Sequence, residues 1–227
     1  MKDRQLRFIP LGESALTVEF GNTISVSSNQ LAINASRIID ERRFTGLIET
    51  APSYAAVTIY FDAVEVRRAF PGFETCFEAV RSIIRPLIEN VTDAGLDTSK
   101  TITIEADFSQ RSGPDLSFVA DHASLTINEV VKIFTSVEYR VYMLGFLPGF
   151  TYMGQVVKRI DTPRLETPRP KVERGSIGIA GRQTGIYSLS SPGGWRIIGR
   201  TETELFDPKC ERPFLFSPGD KVRFKAI

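Results

Sequence analysis

The residues that could do chemistry are few, and several of them sit between glycines. Gly181, Arg182, Gln183, Thr184 and Gly185 form the run GRQTG, in which three polar side chains hang on a stretch with little bulk around them. Glycine lets a ligand approach backbone amides, and the three side chains add oriented donors, so the run suits a small polar substrate. The same glycines also suit the corners of a barrel. Upstream, PRLETPRPKVERG at 163–175 places Arg164 and Arg169 among Pro163, Pro168 and Pro170. Proline lowers the entropy of presenting a guanidinium, a group that grips carboxylate or phosphate with paired donors. Taken singly, each arginine is equally an ordinary surface residue. His122 is the only histidine, so a Ser-His-Asp or Cys-His mechanism would have to run through it. Its position at the end of a predicted helix also suits the helix dipole alone. In LGFLPGFTYMG, 144–154, Phe146 and Phe150 bracket Pro148 and Gly149. Such aromatics either pin the loop to the core or offer a partner surface. Trp195, the one tryptophan, is expected in the core.

Several chemistries are excluded. The chain has no GxxxxGK[ST] phosphate loop, no dinucleotide fingerprint after its first strand and no HExxH. Cys76 and Cys210 lie far apart with no CxxC, so neither a metal site nor a disulfide framework is expected. A net charge of +1 gives no reason to expect nucleic acid or an anionic membrane as partner. The N-terminal stretch has no sustained apolar core, and no segment reaches the roughly 18 apolar residues of a membrane span, so a cytoplasmic protein is expected.

The elements that must position these residues follow two grammars, and a chain of 227 residues is long enough for two domains. In the first half, Ser14–Phe20 alternates at period two, Ser28–Phe44 carries Leu31, Ala35, Ile38 and Ile39 on one helical face, and 47–50 with 54–61 reads as a hairpin. A second helix is expected from about Phe73 to Val91, kinked at Pro86, and TITIEA at 101–106 would complete the order β-α-β-β-α-β, a ferredoxin-like arrangement. The polar stretch at 92–100 marks the neighbourhood of a boundary. Beyond it come two short helices, the second opened by a Thr126/Glu129 capping box, and then short strands punctuated by Gly and Pro, which argue for a closed barrel. The expected class is α+β, with an α/β domain over 1–95 and a β-barrel domain over 96–227.

At these residues a resemblance enters. SGPDL (112–116), YRVYMLGFLPGFTYMG, TPRLETPR, GSIGIAGRQTGIY, SPGGWRIIGRT and LFDP, in that order, closely resemble the family of the B-type subunit of prokaryotic 5-oxoprolinase. That family also contains an inhibitor of a sporulation histidine kinase and the first of the subunits of allophanate hydrolase, and it is related to a carboxyltransferase segment of urea carboxylase. The resemblance implies a cyclophilin-like barrel after the ferredoxin-like domain. It also implies a C-type partner with which this chain would couple ATP, brought with magnesium by that partner, to activation of the lactam 5-oxoproline, and an A-type partner that opens the ring to glutamate. No tightly bound cofactor is expected, and the chain alone should be inactive. A histidine kinase is the alternative partner, and an allophanate or urea-type amidohydrolase the alternative complex. The shared residues include Pro148, Phe150, Arg169, Gly181, Gln183, Thr184, Tyr187 and Arg200, with His122 in the matching helix. Which of them act chemically stays open: His122, Arg169, Gln183 and Arg200 are the catalytic candidates. Gly181, Arg182, Gln183, Thr184 and Tyr187 are the expected substrate contacts, and Phe146, Pro148 and Phe150 the expected partner contacts. The chain departs from the family pattern at Asp107-Phe108, where Cys-Tyr is usual, at Arg182 in place of a second glycine, and at Ser188 in place of proline. Arg182 could add an anion contact favouring a carboxylated substrate.

Overall fold

In the computed structural model, which describes residues 6–94 and 99–227, the chain divides into two compact units, Met1–Asp97 and Thr98–Ile227. The boundary expected at 95/96 lies outside the described residues. The first unit is built on the alternation of AVTIYF. Val57, Ile59 and Phe61 of that segment all face inward, because successive strand side chains point to opposite faces. Its sheet comprises β1 (Arg7–Pro10), β2 (Ala15–Glu19), β3 (Leu47–Pro52) and β4 (Ala56–Phe61), in the order β1-β2-β4-β3, with every pairing antiparallel. Helix α1 (Val26–Glu41) starts where the Ser25 side chain accepts the Ser28 amide at 3.0 Å, and Leu31, Ala35 and Ile39 form its buried stripe. A short helix, α2 (Ala63–Ala69), is capped by Asp62. Helix α3 (Cys76–Ile88) opens on a Thr75/Glu78 capping box, runs through Pro86 and buries Val80, Ile84 and Ile88. The helices and the sheet share one core.

One expectation fails here. The strand Thr101–Ala106 does not complete the first sheet; it pairs in parallel with Lys221–Ala226 in the second unit. Alternation identifies a strand but not the sheet it joins. The outer place beside β2 is taken instead by β1, which folds back through a four-residue link, so the closing loop is short and its entropy cost small.

In the second unit, β5 (Thr101–Ala106) is followed by α4 (Leu116–Ala123), α5 (Ile127–Thr135), β6 (Glu138–Leu144), β7 (Thr151–Gly154), a 3₁₀ turn (Lys158–Ile160), β8 (Arg169–Val172), β9 (Ser176–Ala180), β10 (Gln183–Ile186), β11 (Ser191–Gly193), β12 (Arg196–Arg200) and β13 (Lys221–Ala226). Seven strands form one sheet in the order β12-β9-β10-β7-β6-β13-β5. Its two edges meet in a single bridge, where Asp107 and Arg200 exchange backbone hydrogen bonds of 2.8 and 2.9 Å. The sheet therefore curls until its edges touch, around Tyr139, Val141, Ile177, Ile179, Ile198 and Phe224. Helices α4 and α5 pack on the same core, and the Thr126/Glu129 capping box that opens α5 is formed. Strands β8 and β11 stand apart as a two-stranded ribbon. Among the described residues no helix is long and apolar enough to cross a membrane.

Candidate functional site

The ribbon separates two clefts: β11 walls one and β8 the other. The first, about 250 Å³, is an aromatic slot between Phe146, Tyr152, Tyr187 and Trp195, with Arg164 and Pro168 at its side. Phe150 is the hub beneath it. Its ring meets those of Phe146, Tyr152, Tyr187 and Trp195 edge-on at centroid distances of 5.6, 4.8, 5.0 and 5.5 Å, a favoured aromatic geometry. The glycines make this possible. A Cβ on Gly185 would lie 2.5 Å from the Thr151 carbonyl and about 3 Å from the Phe150 and Trp195 rings, so only glycine lets β7 and β10 pair beneath the cluster. Arg164 stands over the Trp195 ring at 5.8 Å, a cation–π contact at the slot wall. Burial pushes the phenol pKa of both Tyr152 and Tyr187 up, so both stay neutral at physiological pH.

The second cleft, about 200 Å³, is lined by Arg111, Ser112, Arg169, Lys171, Ser176 and Arg200 among others. Asp115 organises it from below. It occupies the N-cap of α4 without capping the helix; instead Oδ2 accepts the Ile197 amide at 2.6 Å and Oδ1 accepts Arg169 Nη2 at 2.8 Å. The carboxylate is 7% exposed and the arginine 32%, so the pair is partly desolvated and its geometry firm. Asp107 supports the rim. Its carboxylate accepts from the Ser109 amide and from the Ser109 and Ser112 hydroxyls, which holds the turn that carries Arg111. The Ser112 and Ser109 hydrogen bonds keep its pKa below the ordinary aspartate value.

The expected site residues are scattered by this geometry. Arg169 and Arg200 come together in the basic cleft, Tyr187 and Phe146 in the aromatic slot, and the proline-rich loop delivers Arg164 to one cleft and Arg169 to the other. Gly181 and Arg182 form the two-residue turn of the β9–β10 hairpin, with φ of +59° at Gly181, the geometry in which the first turn residue is glycine. That turn lies at the far end of β10 from Tyr187, about 13 Å away for four residues of strand. Arg182 directs Nε to the Val156 carbonyl, and Thr184 is buried with its hydroxyl on the Gly178 carbonyl, so neither lines either cleft. Gln183, at the start of β10, lines neither. His122 is exposed and stacks on Phe118, whose ring also faces the Arg196 guanidinium 3.6 Å from its centroid; His122 too stays outside both clefts. Phe150 is 1% exposed, which makes it a packing residue and not a partner contact. Phe146, in contrast, is 61% exposed at φ +67°, a backbone conformation that costs a bulky residue on the order of 1 kcal/mol and recurs at functional loops. Pro148 is exposed, and its carbonyl accepts the Ser188 hydroxyl, so the serine that replaces the usual proline ties the loop down.

Sequence reasoning missed Arg111, Asp115, Tyr152 and Lys171. Asp115, Tyr152 and Lys171 lie in stretches that the sequence singled out, Asp115 as the acid of the GPDL motif, but Arg111 carried no signal. Neither cleft lining contains histidine or cysteine, and among the described residues no cluster of three metal-ligating side chains exists. The arrangement is suited to binding and orienting a flat or anionic ligand.

The comparisons agree with the motifs. The chain is 39% identical over 218 residues to the B-type subunit of 5-oxoprolinase from Bacillus subtilis, an alignment that covers 96% of this chain and 91% of that one. The crystal structure of TTHA0988 superposes on 94% of this chain with a TM-score of 0.79 and 29% identity, this chain spanning 40% of that one. Urea amidolyase of Saccharomyces cerevisiae is 25% identical over 95% of this chain, which corresponds to 13% of the yeast protein. Residues 6–216 match the model of the carboxyltransferase domain, subdomain C and D, and the chain belongs to that family, in the company of the B-type 5-oxoprolinase proteins.

Proposed function

We propose that this chain is the B-type subunit of a heteromeric, ATP-dependent 5-oxoprolinase of the cytoplasm. With a C-type partner it activates 5-oxoproline, and an A-type partner completes ring opening to glutamate. The observation that carries this reading is the 39% identity to the Bacillus subtilis protein across nearly the full length of both chains. The slot supports it. 5-Oxoproline is a small five-membered lactam with one carboxylate, and a cleft of about 250 Å³ walled by Tyr152, Trp195 and the exposed Phe146 offers flat apolar faces to the ring and the Arg164 guanidinium to the anion. Both clefts are smaller than the roughly 300–1,000 Å³ of pockets that enclose drug-sized ligands, so neither would enclose ATP; in this reading ATP and its magnesium are held with the C-type partner.

ATP supplies a phosphoryl group that turns the poor amide electrophile into one that water can attack. This chain's part is to seat the ring, exclude water from it with Phe146 and Trp195, and orient it with arginines and backbone amides. The fold in this reading is a ferredoxin-like layer whose outer strand is supplied by the N-terminal hairpin, followed by a cyclophilin-like barrel closed at the Asp107–Arg200 bridge. The test is ATP hydrolysis with and without 5-oxoproline, by this chain alone, with its C-type partner, and with the C-type and A-type partners together. Stimulation by 5-oxoproline only in the combined chains, and glutamate once the A-type partner is present, is the expected result. Combined chains that ignore 5-oxoproline would overturn it.

A further inference from the structure

Arg200 carries an unexplained nitrogen. It ends β12 with 39% of its side chain exposed, yet its Nε is buried without a hydrogen-bond partner. Buried donors are almost always satisfied, so an orphan on a side chain that lines a cleft asks for an acceptor that the protein itself does not supply. Glu202 approaches Nη2 at 3.4 Å, but that carboxylate is 82% exposed and makes no hydrogen bond to Nε. Around the same cleft stand Arg111, on the turn fixed by Asp107, Lys171, paired with Glu173 at 2.9 Å, and Arg169, locked by Asp115. Glu173 is the one acidic residue in the lining, against four cations.

We infer that this cleft is a subsite for a compact oxyanion, a phosphate or carboxylate group, neutralised by Arg111 and Lys171 and gripped by Arg200, whose partly exposed guanidinium turns to bring Nε out of burial onto the ligand. The Nε–Nη2 edge of a guanidinium matches two oxygens of one oxyanion, and Nη2 exchanges the solvent-exposed Glu202 for the ligand. A volume of about 200 Å³ limits the occupant to such a group or to the anionic end of a larger molecule. The inference stands on the cleft alone and does not depend on the enzyme reading; its test needs neither other chains nor turnover.

The experiment is calorimetric titration of the full chain at low salt with inorganic phosphate and, separately, with acetate. One saturable site for at least one of the two is expected, and which of them binds tells a phosphoryl site from a carboxylate site. Arg200→Lys keeps the charge but removes the planar edge, and should weaken binding at least tenfold. Arg111→Gln, on an exposed turn where folding is not at risk, should weaken it about fivefold, Glu202→Gln should strengthen it severalfold, and Lys209→Gln, a charge-matched control outside the cleft, should leave it unchanged. Absence of saturable binding for both anions would overturn the inference, as would equal affinity in the wild type, Arg200→Lys and Arg111→Gln.

Discussion

On one side of the β8–β11 ribbon, Phe150 gathers four aromatic rings within 4.8–5.6 Å; on the other, Asp115 gathers an arginine and a backbone amide within 2.6–2.8 Å. Each cleft is thus shaped by one buried residue: Phe150 forms the floor of the slot, and Asp115 lies beneath the basic cleft. The forces differ. The slot is held by apolar burial and ring geometry, which neither salt nor moderate pH alters, whereas the basic cleft depends on charge and hydrogen bonds in a partly solvated setting and should respond to both. The two clefts therefore differ in robustness.

The largest effect should come from the slot's hub. Phe150→Ala removes a fully buried ring and leaves a cavity, and should destabilise the protein by about 3–5 kcal/mol in urea unfolding. Phe146→Ala, in the same loop but exposed, should change stability by no more than about 0.5 kcal/mol while weakening ligand or subunit association. Equal destabilisation by the two substitutions would dissolve the distinction between hub and rim.

Asp115→Ala should come next. It leaves the Ile197 amide without its acceptor and Arg169 without its anchor, and a lost acceptor for a buried donor costs about 1–3 kcal/mol, with the freed arginine adding to it. We expect about 2–3 kcal/mol, with Asp115→Asn recovering part of it because the amide oxygen still accepts from Ile197. The Asp115→Ala penalty should shrink in high salt, where the Phe150→Ala penalty should not. A salt-independent loss at Asp115 would mean that its role is packing, and the contrast between the two clefts would fail.

How much of this was legible in the sequence follows from which signals are local. The 47–61 hairpin, the helix around Leu31, Ala35 and Ile39, and the Thr126/Glu129 capping box all form, because each is written within a few neighbouring residues. The home of Thr101–Ala106 was not legible: its partner, Lys221–Ala226, lies more than a hundred residues away, and its alternation is the same whichever sheet receives it. The four residues of β1 and the seven of α2 are too short to show a period. At the site, GRQTG looked like a ligand loop because its composition is that of a turn, and it is one: Gly181 and Arg182 turn the hairpin while Thr184 points into the interior. The basic cleft escaped notice because Arg111, Lys171 and Asp115 are brought together by the ribbon and by the N-terminus of α4, and no spacing in the chain announces that meeting.

The smaller effect on the basic side, and its finest test, lies at Asp107. Its carboxylate holds the 109–113 turn through Ser109 and Ser112 while its backbone closes the sheet on Arg200. Gly113, which ends the turn, has no room for a Cβ against the Ile198 carbonyl, so the turn has little freedom to settle elsewhere. Because the folded protein lowers the Asp107 pKa below its ordinary 3.8, the unfolded chain binds the proton more readily. The contribution of this group is therefore fully present above that value and is lost as pH falls through the lowered one. Asp107→Asn should cost about 1 kcal/mol at neutral pH, and the gap between wild type and variant should close as the pH falls from the ordinary value through the lowered one. Glu129, Glu173 and Asp207 are also held low, but they titrate alike in both proteins and drop out of the difference. A gap that stays constant from neutral to acid would show that the ionised form of Asp107 does not hold the turn, leaving the backbone bridge to Arg200 as its whole role.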